Sequence, residues 1–302
     1  MPSSADGSYR PEGIPKPKYV IISPVRDEEE HIERTVQSVL RQTIRPVEWV
    51  TVNDGSRDQT GRILDDYASR EPWIRPVHRR DRGYRKSGTG VMEAFYDGYS
   101  ALQTREWDFL VKLDGDLSFA ESYFALCFER FQKNPKLGVA GGTILCQGTN
   151  GLQPERSHEF HVRGATKIYR RECWEAIGGL LRQTGWDTLD EVKANMLGWE
   201  TLSFADITLV QHRDTGAADG TWKTSVKNGR ANYICGYHPL FMLLKCAKRF
   251  FQKPFVIGAV GLMTGYVSGY LLHIPRADDE RTIRYLREQQ LRRLTFSESI
   301  WK

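Results

Sequence analysis

Phe109-Leu110-Val111-Lys112-Leu113-Asp114-Gly115-Asp116 sets the reading of this chain. Its apolar half suits a buried strand, and its acidic tip puts two carboxylates at i and i+2 where that strand ends. Such a pair can hold a hard divalent cation and leave open positions for the phosphate oxygens of a nucleotide. An Asp-Gly-Asp tripeptide also suits a plain turn, in which glycine supplies the positive φ. What directs this one toward chemistry is a second acidic strand end, Asn53-Asp54-Gly55-Ser56, upstream of it.

Further upstream, Tyr19-Val20-Ile21-Ile22 is a continuous apolar run stopped by Ser23-Pro24, which predicts a buried parallel strand running into a loop. Ile32, Val36, Val39 and Leu40 recur at helical spacing behind Asp27, Glu28, Glu29 and Glu30, an acidic first turn. The next strand, over 47–52, ends at Asn53-Asp54, and Ile63, Leu64 and Tyr67 mark a second helix. Strand, helix, strand, helix at this spacing is a βαβ series, whose ligands gather outside the C-terminal strand ends. A short strand over 74–77, a basic Gly-rich loop over 79–90 and a helix over 91–102 lead to the Phe109 strand. A helix over 124–131, a strand over 137–142 and a segment recrossing the sheet over 162–169 follow it.

The chain has 302 residues, 40% of them hydrophobic and 27% charged, which fits a globular protein and excludes disordered and fibrous classes. Its five cysteines form no C-x-x-C pair and are odd in number, so neither a zinc ribbon nor a disulfide framework is expected. A reduced, cytoplasmic chain is the expectation. Residues 1–17 are polar and rich in Pro, Ser and Gly, a flexible tail without the apolar core of a signal peptide. From Thr221 onward there are fourteen Lys or Arg against five Asp or Glu, whereas the preceding part is slightly acidic. The division expected is therefore a tail over 1–17, a catalytic domain over 18–220 and a basic, apolar helical region over 221–302.

That last region points to a membrane surface rather than nucleic acid, because its charge accompanies apolar sequence. Residues 239–251 read as a basic amphipathic helix. Residues 255–274 carry no formal charge and, at 1.5 Å per residue, would reach across a hydrocarbon core of about 30 Å. Four glycines make this a poor insertion sequence, so an interfacial or re-entrant hairpin is favoured over a clean span. Peripheral or re-entrant association with the inner face of the cell membrane is the resulting expectation.

Three strand ends in order, Ser23-Pro24-Val25-Arg26-Asp27-Glu28-Glu29, Asn53-Asp54-Gly55-Ser56-Arg57-Asp58-Gln59-Thr60 and Asp114-Gly115-Asp116, resemble those of glycosyltransferase family 2. These are inverting nucleotide-sugar enzymes of the GT-A fold, and the resemblance covers roughly Tyr19 to His212. It implies an α/β fold with a mostly parallel, Rossmann-like sheet flanked by helices, here with the C-terminal helical appendage. The implied donor is a UDP- or GDP-linked sugar, the implied cofactor Mn or Mg, and the implied acceptor a glycan or lipid-linked molecule in polysaccharide or glycolipid assembly.

By the same resemblance, Asp54 binds the nucleotide base, with Pro24 shaping the loop beneath it and Glu28 near the nucleotide. Lys86, with Arg85 or Arg82, approaches the pyrophosphate from the basic loop. Asp114 faces the ribose or sugar, Asp116 the metal, and His212 is a candidate further metal ligand. Gly178-Gly179-Leu180 matches a loop beside the acceptor. The family's catalytic base lies in a Glu-Asp pair ahead of an amphipathic helix. Counting back from Gly198-Trp199 gives Asp187, with Trp186 where glutamate is usual, and Asp190-Glu191 offers a rival pair, so Asp187 and Asp190 both stand as candidate bases. The same acids would also serve as an N-cap and first-turn charges.

His158 and His161 read as loop residues, since no third ligand lies near them. Lys227-Asn228-Gly229-Arg230 stands where processive relatives carry Q-x-x-R-W, and the absence of that motif favours transfer of one sugar per encounter. Two other classes compete. A nucleotidyltransferase would show a Gly-rich basic loop after the first strand, where this chain is acidic. A catalytically silent nucleotide-binding scaffold would not need Asp114, Asp116 and Asp187 together.

Overall fold

The computed structural model describes residues 16–84, 89–148, 151–155, 158–213, 220–252 and 255–301. In chain order the first half comprises β1 (Tyr19–Val25), α1 (Ile32–Leu40), β2 (Glu48–Asn53), α2 (Thr60–Ala68), β3 (Ile74–His78), α3 (Thr89–Ala101), β4 (Phe109–Leu113), β5 (Leu117–Phe119) and α4 (Tyr123–Lys133). Then come β6 (Leu137–Gly148), β7 (Gly151–Pro154), β8 (Thr166–Arg170), α5 (Arg171–Ile177), α6 (Trp186–Met196) and β9 (Glu200–Gln211). Four helices close the chain: α7 (Gly220–Ile234), α8 (Pro239–Phe250), α9 (Ile257–Leu271) and α10 (Glu280–Leu294).

The strands form one sheet in the order β3-β2-β1-β4-β8-β6-β9-β5, with β7 paired to β6. β3, β2, β1 and β4 are mutually parallel, as the βαβ spacing predicts. The other half departs from a mostly parallel sheet: β8 runs antiparallel to β4 and β6, β5 antiparallel to β9, and only β6 and β9 pair in parallel. This reversal positions the site. It lays the start of β8 beside the end of β4, with Thr166 opposite Leu113 and the Asp114 amide donating to Ala165 O at 2.8 Å.

Both faces of β1, β2 and β4 are buried, which is why Tyr19–Ile22 of β1 is a continuous apolar run rather than an alternating one. Tyr19 and Ile21 pack with Ile32 and Val36 of α1 and Phe124 and Phe128 of α4; Val20 and Ile22 pack with Met92 and Phe95 of α3 and Trp174 of α5. Each such buried side chain contributes about 1.5–3 kcal/mol. Pro24 does not stop the strand as expected but lies inside β1, opposite Val52. Pairing with β4 ends at Ile22, so the missing proline N–H deprives no ladder on that side.

A third core joins α6 to the C-terminal helices, with Leu189 and Val192 against Tyr233, Met242, Leu262 and Leu286. Lys193 of α6 and Asp279 close the same seam as an ion pair at 3.1 Å. The apolar stretch expected as a re-entrant hairpin is one helix, α9. Its 15 residues extend about 22 Å. Among the described residues no helix is long and apolar enough to cross a membrane. The glycines of α9 have a packing role: a Cβ on Gly265 would lie 1.9 Å from Val226 O, and one on Gly229 of α7 would lie 2.0 Å from Leu262 O. The two helices cross backbone to backbone.

Candidate active site

Parallel strands β2, β1 and β4 end side by side, so their terminal loops share one edge of the sheet. The first two loops are laced together. Asp27 N donates to Ser56 Oγ (3.0 Å) and Arg57 N to Asp27 Oδ1 (2.9 Å); Glu28 N donates to Thr60 Oγ1 (2.8 Å) and Glu29 N to Asp58 Oδ2 (3.0 Å). Asp58 also receives the Thr60 amide and hydroxyl, holding the first turn of α2. Gly55 has φ +72°, and a Cβ there would lie 2.5 Å from Asp81 Cα, so only glycine fits between this turn and the following loop. Much of the Asp-Gly-Ser-x-Asp-x-Thr pattern is thus the scaffold that fixes Asp54.

Asp54 is buried, with Arg82 closing on its carboxylate as a fork at 2.9 and 2.6 Å and Arg79 on Oδ1. Arg26 donates to the Asp54 carbonyl at 2.8 Å. Arg82, a candidate for the pyrophosphate, therefore lies on the aspartate in this structure. Lys86 and Arg85 lie outside the described residues. Glu28 is buried near the same edge and pairs with Arg213 at 3.0 Å. Arg213, missed in the sequence, also donates to Asp27 O and lines an open cavity of about 460 Å3 with Asp27, Glu29, Glu30, Arg57 and Asp58. A cation two residues past the end of β9 was the signal that could have found it.

At the tip of β4 the two aspartates differ. Asp114 is tied to Lys112 and raised above the ordinary carboxylate range by burial, against the pull of that lysine. Asp116 is buried; its Oδ2 accepts from Gln211 Nε2 at 3.1 Å, and its Oδ1 has no hydrogen-bond partner among the described residues. A buried carboxylate oxygen left without a donor fits a cation ligand. Among the described residues no group of three His, Cys, Asp or Glu could hold a metal alone. The amide of His212 donates to Asp116 O at 2.9 Å, but its ring faces elsewhere, with Nε2 2.8 Å from Ser118 Oγ and Nδ1 3.3 Å from Arg34. Arg34 can only donate, so Nδ1 accepts and Nε2 carries the proton. In this arrangement neither nitrogen is open to a metal.

The fourth contribution comes from α6. Lys112 of β4 and Lys167 of β8 are cross-strand partners, both buried and pointing to the same sheet face. Lys112 Nζ binds Gly164 O as well as Asp114. Lys167 Nζ donates to Asp187 O at 2.6 Å and to both oxygens of Asp190 at 2.9 Å, and lies 2.8 Å from Glu191. Burial would lower the Lys167 ammonium, but the surrounding acids outweigh it and hold the group up. Trp186, standing where the family resemblance places glutamate, lays its ring 5.4 and 5.5 Å from the two ammonium groups.

This arrangement separates the two candidate bases. Asp190 is buried beneath α6 and takes donors from Lys167 and from Tyr169 Oη at 2.5 Å; burial pushes its carboxyl up to about 6 despite Lys167. It faces the interior, not the crevice. Asp187, in the first turn of α6, is partly exposed, and its Cβ lies 3.4 Å from where a Cβ on Gly164 would be. Gly164 is in turn bridged by Lys112 to Asp114. Glu191 accepts from Val162 N at 2.7 Å and faces His161 Nδ1 at 2.9 Å, and that carboxylate raises the His161 imidazole. His161 is a loop residue, as expected, but one locked to α6. Nearby, Gly178 and Gly179 both have positive φ, and Leu180 is pinned through its N and O to Tyr96 Oη at 2.6 and 2.5 Å.

The family model for glycosyl transferase family 2 matches residues 20–185. An uncharacterised glycosyltransferase of Bacillus subtilis, EpsJ, is 31% identical over 184 residues, covering 53% of this chain and 49% of that protein. A glucosyl-dolichyl phosphate glucuronosyltransferase of Haloferax volcanii is 25% identical over 116 residues, 38% of this chain and 34% of that one. The chain spans about half the length, or less, of these curated relatives. Among solved structures, a mannosyltransferase from Pyrobaculum calidifontis in complex with GDP-Man and Mn2+ aligns with a TM-score of 0.55 at 15% identity, over 94% of this chain and 88% of that one. S. aureus TarS 1-349 in complex with UDP-GlcNAc aligns with a TM-score of 0.51 at 16% identity, over 91% and 81%. At such identities the likeness is one of fold, and the fold is the GT-A arrangement that the strand-end motifs imply.

Proposed function

The chain belongs to glycosyltransferase family 2, and on that footing we propose that it moves one sugar per encounter from a nucleoside diphosphate sugar to an acceptor hydroxyl, with inversion. The observation that carries this reading is the gathering at one sheet edge of Asp54, Asp114 and Asp116 with the partly exposed Asp187, joined through the Lys112–Gly164 bridge. Asp54 receives the base N–H once the donor displaces part of the Arg79 and Arg82 fork, with Pro24 and Glu28 lining that end. Asp114, held by Lys112, faces the ribose or sugar. Lys86 keeps its proposed place at the pyrophosphate.

Asp116 would help hold a Mn or Mg ion, which supplies charge neutralisation for the departing diphosphate. His212 would join it only by turning away from Arg34. Asp187 takes the acceptor hydroxyl's proton as that oxygen bonds to the anomeric carbon. The bond from that carbon to the phosphate oxygen breaks, and its electron pair leaves with the nucleoside diphosphate. Asp190, with its lone pairs already committed, acts as a support beneath Asp187. The GDP-Man and Mn2+ held by the Pyrobaculum protein and the UDP-GlcNAc held by TarS support a nucleotide-sugar donor.

The acceptor we propose is lipid-linked, and the enzyme works at the inner face of the membrane. Exposed Leu240, Leu243, Leu244, Phe250 and Phe251 of and after α8, with Ile257, Val260 and Leu271 of α9, supply an apolar surface beside Lys248 and Arg249. Residues 18–220 then act as the catalytic domain and 221–302 as the region that docks it.

A thermal-shift panel of UDP- and GDP-sugars with and without Mn2+ tests the donor assignment, since a ligand bound only by the native state raises the melting temperature. A metal-dependent rise with at least one donor is expected, together with release of nucleoside diphosphate on turnover. Release of pyrophosphate would make the protein a nucleotidyltransferase, and the absence of any rise would leave the silent scaffold.

A further inference from the structure

Behind the turn that carries Asp187 lies a second cavity, of about 350 Å3, lined by Thr184 and, from α7, by Trp222, Lys223, Val226, Lys227, Arg230 and Ile234. Positions 223, 227, 230 and 234 are one stripe of a helix, so three cations and an isoleucine project from the same face. Lys223, Lys227 and Arg230 are exposed, and none has a carboxylate partner among the described residues. Like charges at i and i+4 on one helix face repel weakly, and an anion bound among them would relieve that repulsion.

Two contacts relate the cavity to its surroundings. Gly185, one residue after Thr184 and at the N-cap of α6, has φ +90°, and a Cβ on it would lie 2.1 Å from Sγ of Cys235, the residue after α7, and 3.7 Å from Ala231 O; the C-terminal end of α7 is therefore seated on the turn that leads into Asp187. On the other side, Trp222 lies against α9, its ring 3.3 Å from where a Cβ on Gly261 would be. The exposed Ile257 and Val260 continue that apolar surface outward. A cationic hollow thus opens toward the catalytic turn at one end and an apolar helix face at the other.

We propose that this cavity holds the phosphate of an acceptor carried on an apolar chain, with the chain leaving over Trp222 onto α9. Lys223, Lys227 and Arg230 bind the phosphate as point charges and a fork. Thr184 brings the bound head close to the turn of Asp187. The inference rests on the reading of the chain as a transferase with a lipid-linked acceptor, and it names the residues that choose that acceptor.

The test uses the full chain and the triple variant Lys223→Gln/Lys227→Gln/Arg230→Gln. Binding is measured to phosphatidylcholine vesicles doped with a polyprenyl phosphate, to vesicles doped with the same mole fraction of phosphatidylglycerol, and to inorganic phosphate alone. The wild type is expected to prefer the polyprenyl phosphate vesicles by about tenfold, and the triple variant to lose that preference. Equal binding to both anionic vesicles, lowered alike by the variant, would overturn the proposal and make the stripe part of a general anionic-lipid surface. A response to inorganic phosphate as strong as that to the lipid would overturn it too, in favour of a free-anion site. Nucleotide-dependent thermal shifts are read in parallel. Normal shifts with no polyprenyl phosphate preference sink this proposal alone, whereas missing shifts in the wild type sink the donor reading. A Lys223→Arg/Lys227→Arg variant that keeps the preference excludes loss through misfolding.

Discussion

Asp187 and Asp190 stand within one turn of each other on α6, yet Asp187 is partly exposed whereas Asp190 meets Lys167 and Tyr169 in the interior. Asp187→Asn is expected to lower kcat by about 10²–10⁴-fold while leaving the donor KM within about a factor of two, because a general base acts in the transition state. Steady-state kinetics with a fixed acceptor measure both. Lys167→Met should instead destabilise the fold by about 3–5 kcal/mol, since it strands Asp190 and Glu191 as buried charges without their cation. Denaturant titration reads that loss. His161 adds a pH signature: its folded pKa is raised above the ordinary 6.5 by Glu191, so its stabilisation is complete below 6.5 and fades as pH rises through the folded value. A melting temperature that falls with pH above 6.5 in the wild type but not in His161→Gln is the expected result. The sequence made Asp187 and Asp190 rivals because both satisfy the spacing. Lys167, a cation in the middle of a strand and invisible to an apolar pattern, and Tyr169 two residues on separate them by claiming the Asp190 carboxylate.

At the level of elements, β1, β2 and β4 of the parallel half were legible because each is a short apolar run leading to a distinctive acidic or Asn-Asp turn. The antiparallel half was not. β8 carries Lys167 and Arg170 among its five residues and β9 alternates exposed polar positions along its length, so neither announces its direction. Pro24 misled in the opposite sense, reading as a stop although the ladder on its donor side had already ended. In α9 the glycines read as weakness against membrane insertion, whereas they let α7 and α9 meet through their backbones. Gly265→Leu is therefore expected to force the two helices apart and destabilise by at least about 1–3 kcal/mol, the range for overpacking. An unchanged thermal midpoint would mean that the crossing is looser than these contacts indicate.

For the whole molecule, the slightly acidic part before Thr221 and the C-terminal part with its excess of cations are joined by one core, since Leu189 and Val192 of α6 pack with the terminal helices. On the proposed docking, a surface held by α8 and α9 would keep a fixed attitude to Asp187. Leu243→Glu/Phe251→Glu should reduce co-sedimentation with anionic vesicles by about tenfold or more and leave nucleotide binding unchanged, because both residues lie on the exposed apolar face far along the chain from the strand ends. At the tip of β4, Oδ1 of Asp116 is buried with no hydrogen-bond partner among the described residues, and the proposed metal-assisted transfer depends on its holding a cation together with the donor's phosphates. Calorimetric titration of nucleoside diphosphates into the wild type and Asp116→Ala, each with and without Mn2+, tests it most directly. The account predicts Mn2+-enhanced binding in the wild type and loss of that enhancement in the variant, whereas an enhancement that survives in Asp116→Ala would contradict it.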